Sequence, residues 1–164
     1  MKYLIFAMTL FAFVGCKDNK KQEEIIKTET VNQSVNIKNN KQSDETLEVY
    51  KNTWIDEIKV SDNGKWSANK ETNEGVKNML TSIATNRTNS LENYQDLAEQ
   101  LSQHKNYIIK NCTMKGDSHD NLHVWLLPLM AKIEALSETK TVEDASKIKS
   151  SIEKNINAYS DFFE

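Results

Sequence analysis

Proline occurs once in the 164 residues, glycine four times and cysteine twice. So few turn-formers, together with scarce apolar–polar alternation, weigh against a fold built from many short strands. Charge of one sign is also lacking. The formal net charge is −3, and no long basic run occurs in the part expected to fold. Neither a nucleic-acid partner nor binding to an anionic membrane through surface charge follows from such a balance. The c-type haem signature CxxCH is absent, which excludes covalent haem.

What is present begins with MKYLIFAMTLFAFVGC, a single Lys2 followed by an apolar run and the small Gly15 before Cys16. The run is too short for a membrane-spanning helix of roughly 20 residues and reads as a secretory signal over 1–15. Its FVGC ending resembles the lipobox of bacterial lipoproteins, with Phe13 in place of the usual leucine. The resemblance implies lipid attachment at Cys16 and tethering to a membrane of the cell envelope, periplasmic or surface-facing. Two or more acyl chains anchor a protein stably where one does not. The Lys17-Asp18 pair that follows resembles the surface-export signal of Bacteroidota lipoproteins.

Residues 16–43 are rich in Lys, Asn, Gln and Glu and show no period. They cannot bury enough surface to offset their ordering entropy, so a disordered tether is expected there. Residues 44–164 make one domain's worth of chain, and helical period dominates them. The first segment, from Asp44, places Leu47, Tyr50 and Trp54 on one face, with Ile55 and Ile58 following. Asp62-Asn63-Gly64 is a turn signal, and Val60 and Trp66 could flank a short extended piece.

The second segment runs from about Asn69 to Asn86 with Val76, Met79, Leu80 and Ile83 inward. The third follows Asn89 as its cap and buries Tyr94, Leu97, Leu101 and Ile108. The fourth spans about Asp117 to Leu136 and is expected to continue through a kink at Pro128. The fifth opens at Thr141 and buries Val142, Ala145, Ile148, Ile152, Ile156, Tyr159 and Phe163. Short connections between amphipathic helices favour antiparallel neighbours. The expected fold is all-α, an up-down bundle of four to five helices.

Within it, Asn111–Trp125 gathers Cys112, Met114, His119 and His123. At roughly 100° per residue, His119 and His123 share a face with Leu126, Met130 and Ile133, which places the imidazoles in mid-stripe. Cys112 falls on the buried face of the preceding helix if that helix lasts so far. Gly116 would end that helix in a left-handed conformation and bring Cys112 near His119 across a tight corner. With Cys16 lipidated, Cys112 has no intramolecular disulfide partner. A leftover thiol in an exported protein is a buried inert group, an intermolecular bridge or a ligand.

Thiolate, thioether and two imidazoles form a soft-to-borderline donor set that suits copper, and Cys with His also suits zinc. Calcium and magnesium would need oxygen donors. Asp117 and Asp120 read as charges favouring a helix N-terminus. Non-covalent haem between His119 or His123 and Met79 or Met114 is a further option, with little small-residue clearance for a porphyrin. A purely structural corner, its histidines bonded to backbone or carboxylate, remains open beside the metal. A nucleophilic Cys–His pair would lack an oxyanion-forming turn, and no enzyme is expected. Trp54, Trp66 and Trp125 read as core.

The N-G-K-W stretch at Asn63–Trp66, the G-[VI]-x-x-M at Gly75–Met79 and the C-T-M-x-G-x-x-H-x-x-L-H spanning Cys112 to His123 together resemble a family of small Bacteroidota lipoproteins and secreted proteins. The resemblance covers about Trp54 to Met130. It supports the domain limits and the choice of Cys112, Met114, His119 and His123, and it adds Met79 as a further ligand candidate. It implies no reaction. Metal sensing, buffering or delivery is the expected role, with a cofactor-free structural or partner-binding lipoprotein as the alternative.

Overall fold

In the computed structural model of the protein, residues 48–62 and 64–164 are described. The expected signal (1–15), the tether (16–43) with Cys16, residues 44–47 and Asn63 lie outside the described residues. Four long helices follow one another: α1 Lys70–Thr85, α2 Leu91–Asn111, α3 Asp117–Glu138 and α4 Val142–Asn157, then a single turn, α5, at Tyr159–Phe162. Each long helix packs on the next, and α4 also touches α1, which closes an up-down bundle. The all-α class holds. Among the described residues the only extended pairings are isolated bridges, Ser61 with Gly64 and Trp66 with Phe163.

Two of the four long helices start where a side chain answers a free N–H group of the first turn. Ser90 Oγ accepts from the Asn93 N–H at the start of α2, and Thr141 Oγ1 accepts from the Asp144 N–H at the start of α4. The α2 cap is therefore Ser90, one residue past the expected Asn89. α3 runs unbroken through Pro128.

The core is one cluster. Met79, Leu97, Leu101, Ile108, Trp125, Leu129, Leu136 and Ile152 are fully buried in it. Leu80 and Val142, expected inward, are exposed. Tyr159 and Phe163 are buried as expected but lie beyond the end of α4. Tyr159 stacks on Phe163 at 4.8 Å between ring centroids and meets Trp125 edge-on at 4.9 Å.

The first segment departs from its expected form. Its described part is an irregular strap with a short 3-10 turn at Thr53–Asp56. Trp54 and Ile58 are buried while Tyr50 and Ile55 face solvent. The helical spacing of these apolar residues came from two anchor side chains and two surface ones, so it was never one buried stripe. Past the Ser61–Gly64 turn, Trp66 pairs with the chain end: its N–H donates to the Phe162 carbonyl (2.7 Å) and its carbonyl accepts from the Glu164 N–H (3.0 Å).

Candidate functional site

α2 ends at Asn111, and Cys112 is the residue that leaves it in extended conformation. Residues 112–115 then cross to α3 without helical structure. Gly116 stands at the N-cap of α3 with φ 61° and ψ −147°, a region open almost only to glycine. It thus begins α3 and does not end α2. The corner is wider than the expected tight turn, yet it still brings the cysteine to the first histidine. Cys112 Sγ lies 3.6 Å from Nδ1 of His119, and the two share a hydrogen bond. One helical turn on, the His123 ring packs against His119 with centroids 4.4 Å apart at an angle of 54°.

The position of these rings differs from the expectation. His119 is half-buried and His123 exposed, so the pair borders the apolar stripe and does not occupy its middle. The true centre of the α3 stripe is the row Trp125, Leu129, Leu136, all at 0% exposure, with Leu122 beside it. Leu126, Met130 and Ile133 mark its margin: Met130 and Ile133 line a shallow groove against Ala98 and Ser102 of α2. Aligning the histidines with that margin misplaced them.

Met114 sits in the same corner, half-buried, and packs with Cys112 against the core. Met79 is completely buried in the core, where packing accounts for it. Behind Cys112 stands Tyr159. Burial, and secondarily the neighbouring Cys112, push its phenol far above the usual range, and its hydroxyl donates to Asn73 Oδ1 at 2.8 Å. Among the described residues no group of three or more His, Cys, Asp and Glu side chains is arranged to hold a metal ion. Cys112 and His119 are in direct contact, and His123 meets the pair only through the ring of His119. No protein-family model, curated protein or solved structure matches the chain.

Two polar centres were missed in the sequence. Ser82 Oγ of α1 lies 3.0 Å from His104 Nε2 of α2, and burial holds that imidazole below its ordinary value. The second is deeper. Lys132 is 1% exposed, and its ammonium donates to Asn52 Oδ1 of the strap and to Asn155 Oδ1 of α4 (2.8 Å). Trp125 and Asn155 bond across the same interface, the indole Nε1 donating to the Asn155 carbonyl at 2.9 Å. The signal was available: Lys132 stands in the row Trp125, Leu129, Leu136, and Asn155 interrupts the row Ile148, Ile152, Ile156 on the facing helix. Two polar residues on opposed apolar stripes ask for each other.

Proposed function

We propose that the protein is an exported, lipid-anchored helical bundle that binds a transition metal, copper, at the α2–α3 corner for sensing, buffering or delivery. Cys112 and His119 are the core of the site, His123 the third donor and Met114 a thioether beside them. The observation that carries this reading is the Cys112–His119 contact. Two donors bound to one metal at about 2.3 Å for sulfur and about 2.0 Å for nitrogen, near the tetrahedral angle, lie ~3.5 Å apart. The 3.6 Å between Sγ and Nδ1 matches that separation, and it is equally the length of the hydrogen bond the two side chains share. When bound, copper would supply a soft, exchangeable centre favoured by thiolate and thioether over hard oxygen donors.

Exposure favours a transferable over a structural ion in this reading. Structural metal sites are closed by four protein ligands. Here His123 faces solvent and His119 is half-buried, so an ion would be open to exchange with a partner, which suits buffering or delivery. Tethering at Cys16 would place the site in the cell envelope. No helix among the described residues is long and apolar enough to cross a membrane.

A cofactor-free, structural or partner-binding bundle is the second reading. What favours it is the lack, among the described residues, of a preformed group of three His, Cys, Asp or Glu donors. In that reading the Cys112–His119 hydrogen bond is only a satisfied corner. Anaerobic titration with Cu(I) against a chromophoric competitor separates the two. Wild type should withdraw one equivalent, and His119→Ala/His123→Ala should fail to compete. Identical curves for both proteins would leave the cofactor-free reading.

A further inference from the structure

Lys132 is the one fully buried cation among the described residues, and its bonded partners are neutral. A buried ammonium without a carboxylate is costly, because amide oxygens return only part of the hydration it gives up. One of its two bonded partners comes from outside the helices. Asn52 belongs to the strap, where its Oδ1 accepts from Lys132 and from Trp54 Nε1 and its Nδ2 donates to the Ser151 carbonyl of α4 (3.2 Å). Its other anchors are the buried Trp54 and Ile58, the partly buried Val49, and three hydrogen bonds: the Lys59 N–H donates to Asn121 Oδ1 (2.8 Å), the Trp66 indole to the Lys59 carbonyl (2.7 Å) and Ser151 Oγ to the Lys51 carbonyl (3.4 Å). Tyr50, Ile55 and Val60 face solvent. Its far end is a turn at Gly64, with φ 103°, followed by the Trp66 pairing with the chain end that stays with the bundle.

We propose that residues 48–60 are a reversible strap, closed over a lysine that the bundle cannot match with a carboxylate. Protonation of Lys132 weakens closure, so the strap opens more often at neutral than at alkaline pH while the helices stay folded.

The charged groups around Lys132 allow this. From the strap, Glu48 exerts the one favourable charge effect on it, from an exposed position. From α4 the facing group is the neutral Asn155, and the Lys147–Glu143 pair on that helix is exposed and closed on itself at 2.6 Å. Burial outweighs Glu48 and pulls the ammonium down to about 8. With the strap open, Nζ returns to water and to an ordinary value of about 10.4. The open form therefore binds the proton more tightly. Closure is weakest at neutral pH and strengthens as pH rises between about 8 and 10. Opening uncovers an ammonium set among apolar side chains, a surface the closed protein does not present.

The test is hydrogen exchange on the full chain, with intrinsic rates divided out. Ile58 and Lys59 N–H report the strap, and Leu97 and Leu101 N–H report the bundle. From pH 7 to 9 the strap's opening constant should fall about tenfold in wild type. It should not change with pH in Lys132→Met. Asn52→Asp, which gives the ammonium a carboxylate, should raise strap protection at pH 7 and flatten the profile, and this variant carries the test if Lys132→Met does not fold. The proposal is overturned if strap and bundle amides always exchange together, or if the wild-type profile persists when the charge is removed or matched.

Discussion

A Cβ placed on Gly75 would fall on the side chain of Ile108, 2.9 Å from Cδ1 and closer still to Cγ1, with the His104 carbonyl at 3.5 Å. α1 and α2 approach each other through this gap, and the isoleucine fills it at 0% exposure. The approach also sets the Ser82–His104 contact further along the same pair of helices. Gly75→Ala gains roughly 1 kcal/mol of helix propensity but overpacks the interface by about 1–3 kcal/mol. The net result should be destabilisation, measured by urea unfolding. Combining it with Ile108→Ala should cost less than the sum of the two single changes, because alanine lacks both the Cγ1 and the Cδ1 that the new Cβ would meet.

Gly116 is constrained by conformation alone. Nothing lies within 4 Å of a Cβ built there, yet φ is +61°. Gly116→Ala should therefore cost about 1–3 kcal/mol through backbone strain, and thermal unfolding should show it. The corner it sets also holds Cys112 against His119, so the same variant should bind Cu(I) more weakly than wild type.

Burial holds the His104 imidazole below its ordinary value. A lowered folded-state value means that the unfolded chain takes up the proton first. The contribution is complete above about 6.5 and is lost as pH falls through the lowered folded value. Stability should fall between pH 7 and pH 5. His104→Gln, which keeps a group able to bond Ser82, should reduce that slope in denaturant titrations across the same range.

The helices were legible because their buried residues recur at helical spacing and because Thr141 and the Asn89–Ser90 region announce starts. α2 and the interior of α4 bury the rows that the spacing marks, Tyr94 to Ile108 and Ala145 to Ile156. The strap was not legible. Tyr50, Trp54 and Ile58 keep helical spacing, and nothing in the spacing separates an anchor such as Trp54 from a surface residue such as Tyr50.

At the corner, sequence proximity was enough to join Cys112 to His119, since a cap residue and the first turn of the next helix must be neighbours. The depth of the histidines was not readable from one helix alone. It depends on which flank of the stripe meets α2, and only the packed bundle decides that. Lys132 shows the reverse situation. Its row was readable, but a lysine on an apolar stripe suggests a surface until its partner Asn155 and its cover Asn52 are seen.

The most direct test of copper binding at Cys112, His119 and His123 is elemental analysis of the purified full chain. The protein is loaded anaerobically with Cu(I), passed through a desalting column and compared with Cys112→Ser and His119→Ala/His123→Ala treated alike. One copper per wild-type chain, with little in either variant, is the predicted result. Equal copper in all three proteins, or none in wild type, would contradict it.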